Sequence, residues 1–225
     1  MYKSKNLIDD GFRSDLVETA FFDGTLEIPI IERPSKIIIP NGMIPFSLRR
    51  KDKNRQYFIC FYEHDKRFSD LLTTADKYTE ELKKFPGIIS PDCSLYWDMP
   101  LCLQITNIYM NRAIGHYFQS KGVYVIPNIR WGDERTYTTI ELPEKVAFLG
   151  VPKHSIVSIG TYGCIQSKEA KKHFKNGLLV MLDELEPDVV LVYGSMPKQI
   201  FTGLENRTQF VNYPDWITYK KAGNH

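Results

Sequence analysis

The chain has 225 residues and a formal net charge of +2, with 43% hydrophobic and 25% charged residues. That length supports one sizeable core with an appendage, and the near-neutral charge sets no requirement for a nucleic-acid or membrane partner. No apolar run approaches the roughly 20 residues that span a bilayer, and the opening MYKSKNLIDDGF lacks the apolar core of a secretion signal, so a cytoplasmic protein is expected.

Residues 1–56 read as a proline-rich irregular arm. Pro29, Pro34, Pro40 and Pro45 interrupt short β-like runs at Glu27–Ile31 and Lys36–Ile39, and Arg49–Arg55 reads as an exposed basic turn. Residues 57–225 read as an α/β domain. Tyr57–Tyr62 is an aromatic and β-branched strand. Phe68, Leu71, Leu72, Ala75, Tyr78, Leu82 and Phe85 form one apolar helical face, which Pro86-Gly87 ends. Gly87–Ser90 is a second strand. A helix follows from Pro100, suited to a first turn, to Lys121, with Gly122 as its C-terminal cap.

Val123–Ile129 is the third strand, and Leu142–Phe148 fits a short helix. Ser155–Gly160 is the fourth strand. Ser167 is placed to cap a helix whose buried face carries Phe174, Leu178, Met181, Leu182 and Leu185. Asp188–Tyr193 is the fifth strand. The tail holds Phe201, Phe210, Tyr213, Trp216 and Tyr219; it is too aromatic to stay solvated, so it folds back on the body and frays only at its last residues. Apolar strands alternating with helices predict a parallel sheet of about five strands with flanking helices. Polar residues end almost every strand. That favours a partial (β/α)-barrel-like arrangement, with an open doubly wound sheet as the alternative.

In such folds ligands bind beyond the carboxyl ends of the strands, where this chain carries Glu63-His64-Asp65, Asp92-Cys93-Ser94, Asn128 to Asp133, Thr161-Tyr162-Gly163 and Tyr193-Gly194-Ser195. Asp92 and Asp133 are the candidate carboxylates for acid/base work or for holding a divalent ion; otherwise each is a helix cap or the partner of a nearby Arg, and Asp92 could simply organise a turn. Arg130 offers a bidentate anion grip and Trp131 a stacking surface; otherwise Arg130 pairs with Asp92 or Asp133 and Trp131 plugs the core. Gln104, Asn107 and Asn111 make a polar stripe on one helix, either solvated or part of a buried network, with Gln104 and Asn107 nearest the strand ends. Asn128, Thr161 and Tyr193 complete the candidate ligand-binding set, and Thr161–Cys164 resembles a phosphate-cradling turn.

Cys60, Cys93, Cys102 and Cys164 have no close pairing and read as free thiols. His64, His116, His154 and His173 lack zinc-ligand spacing, and no metal site or cofactor is assigned. The partner implied by the strand-end residues is a small phosphorylated or nucleotide-like ligand. The rival is non-catalytic binding of DNA or a host protein, drawn from the short basic segments Arg49–Arg55, Lys171–Lys175 and Lys220-Lys221.

Taken together, Ser90-Pro91-Asp92, then Pro100, Gln104, Asn107, Asn111-Arg112, Gly115 and Gly122, then Ile126-Pro127-Asn128 with Arg130-Trp131-Gly132, Gly160-Thr161-Tyr162-Gly163 and Val192-Tyr193-Gly194 form an ordered motif set. Over roughly residues 55–200 it resembles a family of bacterial, plasmid and phage proteins described as a domain of unknown function. The resemblance implies a phage or mobile-element setting and carries no catalytic residues.

Overall fold

The computed structural model describes residues 12–222. The start of the arm, including most of the segment read for a secretion signal, and the last residues of the tail lie outside them.

In chain order, β1 (Phe22–Asp23) and β2 (Ile28–Pro29) form a small antiparallel pair. They are followed by β3 (Met43–Pro45), β4 (Phe58–Cys60), α1 (Ser69–Thr73), α2 (Thr79–Leu82) and β5 (Ile88–Ile89). Next come α3 (Leu101–Ser120), β6 (Val125–Ile126), α4 (Glu134–Tyr137), β7 (Ile156–Gly160) and α5 (Lys168–Leu185). The chain closes with β8 (Val189–Tyr193), α6 (Lys198–Phe201), β9 (Gln209–Tyr213) and α7 (Trp216–Lys221).

Strands β3-β4-β5-β6 make a four-stranded sheet and β7-β8-β9 a three-stranded one, and every neighbouring pair within them is parallel. A parallel bridge from Asn128 to Ser158 joins the two sheets. Neighbours in space are therefore neighbours in sequence throughout. The expected single sheet of about five strands is instead two sheets of four and three, because the arm supplies β3, the tail supplies β9, and β6 and β7 meet only through that bridge. The other β-like run of the arm, Lys36–Ile39, forms no strand; it is tied down by Tyr124, whose hydroxyl accepts from Ile38 N and donates to Lys36 O.

Alternation along the strands sorts the core into an inner and an outer layer. One cluster takes Met43, Phe58, Cys60, Ile89, Ile126, Ile156, Leu191 and Tyr213, so all seven parallel strands feed it and no helical residue joins it. The opposite faces pack under helices. Ile44, Ile59, Ile88 and Val125 lie against α3 residues Ala113, Ile114 and Phe118. Val157, Ile159, Val190 and Val192 lie against α5 residues Leu178, Met181 and Leu182. The two edges approach where Tyr213 OH donates to Pro40 O at 2.5 Å, but β3 and β9 are not paired with each other.

Two helix expectations and one turn expectation need correction. The face from Phe68 to Phe85 is buried as predicted, yet the segment is broken into α1, α2 and 3₁₀ turns. At the break Thr74 Oγ1 donates to Asp70 O at 2.7 Å, the kind of local side-chain bond that competes with helix continuation. Leu142–Phe148 supplies only a 3₁₀ turn at Val146–Phe148. Arg49–Arg55 is exposed only in part: Arg50, Lys51, Lys53 and Asn54 are open to water, but Arg49 is buried, lies over the Phe46 ring and pairs with Glu81. Pro100 serves as the N-cap of α3, and Gly122 takes the positive φ expected after its end.

Candidate functional site

The parallel register brings the carboxyl ends of the strands to one edge, where two cavities open. The larger, about 820 Å³, lies between the loop after β5, the segment Ile129–Arg135 and the start of α5. The smaller, about 370 Å³, lies over the ends of β3, β4 and β8 and is walled by Asp215–Ile217. Tyr96, Arg130, Gly163 and Cys164 line both, so the two meet at Arg130.

Asp92 and Arg130 sit side by side at this junction. Arg130 Nη1 donates to Asp92 Oδ2 at 2.6 Å, and Asn128 Nδ2 donates to Asp92 Oδ1 at 2.8 Å. Tyr62 OH donates to Asn128 Oδ1 at 2.9 Å and lies 2.6 Å from Ser158 Oγ, which leaves the serine hydroxyl as the donor. Donors therefore run Ser158 to Tyr62 to Asn128 to Asp92 and converge on one carboxylate. Burial nonetheless pushes the Asp92 carboxyl above its usual range, outweighing the pull of Arg130 and Asn128. Tyr62 reaches its place because β7 carries Gly160 opposite it, where a Cβ would stand 2.7 Å from the tyrosine ring. Its other face stacks on Tyr193 at 4.8 Å.

A second buried network holds these strand ends to α3. Asn111 Oδ1 accepts from Ser90 Oγ at 2.9 Å and from Arg112, while Asn111 Nδ2 donates to Pro91 O. Arg112 is 1% exposed and has no carboxylate partner among the described residues; it donates to Asn128 O, Ala147 O and Leu149 O. Desolvation lowers its pKa to about 9. The polar stripe of α3 is thus largely a buried scaffold. Gln104 is buried and donates to Met99 O and Asp133 Oδ2; Asn107, half-buried, donates to Ser94 O.

The remaining predicted residues divide between cavity wall and support. Asp133 caps α4 by accepting from Arg135 N, and its oxygens also take the Arg135 guanidinium at 2.7 and 2.9 Å. Burial works against its ionisation, but the hydrogen bonds from Arg135 and Gln104 prevail and hold the carboxyl below its usual range. Trp131 is buried against Phe174, ring centres 5.0 Å apart, and a Cβ on Gly177 would stand 2.3 Å from its indole nitrogen. Thr161 Oγ1 donates to Ser195 O at 2.7 Å and Tyr193 OH accepts from Trp216 N at 2.9 Å, which ties the β7 and β8 ends to the tail. Asp92, Arg130, Trp131, Asp133 and Tyr193 line a cavity; Gln104, Asn107, Asn128 and Thr161 stand behind the walls.

Several wall residues were not singled out from sequence. Trp97 is 69% exposed, Tyr96 55% and Tyr162 49%, so three aromatic rings stand open around the junction. Tyr96 and Trp97 lie in an irregular loop with no periodic signal; only their position after the Asp92 cluster pointed to them. Tyr62 was read merely as the end of a strand. His173 lines the larger cavity and shares a 2.8 Å hydrogen bond with Gly132 O. All four cysteines are free; Cys60 and Cys93 are buried and burial raises their thiols far above the usual value. Among the described residues no group of three or more His, Cys, Asp or Glu is placed to hold a metal ion, and no helix is long and apolar enough to cross a membrane.

The model of a family described as a domain of unknown function, DUF4417, matches residues 20–214. The chain belongs to this family. The DUF4417 match extends beyond the ordered motifs into both the arm and the tail, and so includes β3 and β9. The Gene 1 protein of Mycobacterium phage L5 is 29% identical over 162 residues, which cover 70% of this chain and 68% of that protein. The Gene 1 protein of Mycobacterium phage D29 is 29% identical over 136 residues, 60% of this chain and 48% of that protein. The chain thus spans about half the length of the second relative. No solved structure matches this DUF4417 chain. It is an α/β member of the family related to phage proteins.

Proposed function

We propose that this protein binds a small phosphorylated or nucleotide-like ligand in the cleft at the carboxyl ends of its strands. The observation that carries the reading is the setting of Arg130. One guanidinium nitrogen is fixed by Asp92, while Nε and Nη2 have no protein partner among the described residues and the side chain borders both cavities. A guanidinium held by one corner presents its remaining edge in a fixed orientation, which suits two oxygens of one anion. The open rings of Tyr96, Trp97 and Tyr162 provide surfaces for a planar group.

In this reading Asn128, Tyr62 and Ser158 orient the Asp92–Arg130 pair. Asp92 is the candidate acid/base group, since burial already favours its protonated form more than in water. Asp133, Trp131, Thr161, Tyr193, Gln104 and Asn107 shape and support the walls. The sequential parallel order and the helix-free inner cluster support a partial (β/α)-barrel, with the cleft at its mouth. The rival reading, binding of DNA or a host protein, draws less support. Arg49 and Arg50 pair with Glu81, Lys175 donates to Gln199 O, and Lys220 lies over Trp216.

The test is a thermal-shift screen of nucleotides and sugar phosphates, with and without magnesium, on the wild type and Arg130→Lys. Lysine keeps the charge but loses the planar fork, so a hit should raise the wild-type midpoint by a few degrees and lose about tenfold in affinity in the variant. A screen in which no phosphorylated compound shifts the wild type rejects the reading.

A further inference from the structure

The two cavities differ from an ordinary polyphosphate site in one respect: away from Arg130 they are acidic. In the larger, Arg135 is matched by Asp133, and the carboxylates Asp98, Glu134 and Glu169 remain. In the smaller, Arg67 lies 3.7 Å from Glu63, and Asp215 remains. Besides these the lining holds only the imidazoles His173 and His64 as basic groups. A ligand carrying several negative charges would place all but one of them beside like charges. A ligand with one negative charge at its middle and neutral groups at both ends meets no such penalty.

Each cavity also offers rings. Trp97 opens into the larger, Tyr162 and Trp216 into the smaller, and Tyr96 stands between them. The volumes, about 820 and 370 Å³, fall in the range that encloses small organic ligands. The free Nε–Nη2 edge of Arg130 is a two-donor fork at the neck, matched in shape by the two non-bridging oxygens of a phosphodiester.

Resting on the ligand site described above, we infer that the occupant is a monoanionic phosphodiester joining two nucleosides. Its phosphate sits at Arg130, and one nucleoside enters each cavity. A free dinucleotide and one step of a single strand share this chemistry.

Isothermal titration calorimetry of the full chain tests it with four probes: the dinucleoside monophosphate ApA, 5′-AMP, ATP and a ten-nucleotide oligo(dA). ApA carries two stacking groups and one charge, so it should bind at least about tenfold more tightly than 5′-AMP, with ATP no better than 5′-AMP. Trp97→Ala, which removes an exposed ring and leaves the buried network untouched, should weaken ApA by about tenfold. Oligo(dA) binding more tightly than ApA assigns the site to a strand, and equal or weaker binding assigns it to the free dinucleotide; both keep the diester at the neck. If 5′-AMP or ATP binds as tightly as ApA, the two-nucleoside inference is overturned while the anion site stands. If none of the four binds, the two-nucleoside inference is overturned, and the screen of phosphorylated compounds decides whether the anion site stands.

Discussion

Two aspartate–arginine pairs face the same cleft, and they are built in opposite ways. Asp133 and Arg135 are two residues apart, joined on a helix cap, with side chains 11% and 35% exposed. Asp92 and Arg130 come from different strand ends, with side chains 9% and 22% exposed, and the carboxylate is fed by a chain of donors. The consequences diverge. Local hydrogen bonds keep Asp133 below the usual carboxylate range, whereas burial lifts Asp92 above it. The same two residue types thus make a structural clip in one place and a tunable group in the other. Sequence distance and desolvation decide which.

Removing the long-range pair should have the largest effect. Arg130→Met leaves Asp92 buried without its cation and should cost about 3 kcal/mol at neutral pH, as breaking a buried pair does. Urea unfolding at pH 7 measures it, and the deficit should shrink in acid as Asp92 takes a proton. A cost under about 1 kcal/mol would place this pair among exposed ion pairs, which contribute little.

Asn128→Ala comes next, at about 2 kcal/mol, because it removes the donor of Asp92 Oδ1 and the acceptor of the Tyr62 hydroxyl, which keeps its bond to Ser158. The same unfolding experiment reads it, and a neutral result would mean that water replaces the amide without penalty. Asp133→Ala should cost only about 1 kcal/mol, as the loss of an N-cap does. A loss as large as that of Arg130→Met would erase the distinction between the pairs.

The smallest effect separates the pairs by sign. Asp92 has a raised folded pKa, so its contribution is fully present below the ordinary value of 3.8 and declines as pH rises through the folded value. Asp133 has a lowered one, so its contribution is present above 3.8 and is lost as pH falls through the folded value. Stability differences between wild type and Asp92→Asn, and between wild type and Asp133→Asn, measured from pH 3 to pH 7, should therefore slope in opposite directions. Parallel slopes would refute the assignment.

Much of the architecture was legible because local patterns carry it. The runs around Phe58–Cys60, Ile156–Gly160 and Val189–Tyr193 are strands, Ser167 caps α5, and Asp92, Arg130 and Thr161 share one edge as parallel strands require. Strands β3 and β9 escaped. Met43–Pro45 contains a proline and is only three residues long, and Gln209–Tyr213 alternates weakly, so each is specified by its neighbour more than by itself. The candidate site was half visible. Asp92 and Arg130 announced themselves by position at strand ends, but Trp131, next in the chain to Arg130, is buried against Phe174 and serves as cavity wall, not as an open stacking surface.

The amino-acid pattern by itself determined the α/β class, the parallel order of the central strands and the edge on which polar residues gather. Periodicity and caps are properties of nearest neighbours along the chain. Tertiary structure decided which of those polar residues are scaffold and which face a cavity. Partnering between Asp92 and Arg130, the burial of Arg112 and the opening of Tyr96 and Trp97 depend on groups far apart in sequence. Desolvation, which sets their charge and reach, exists only once the chain has closed around them.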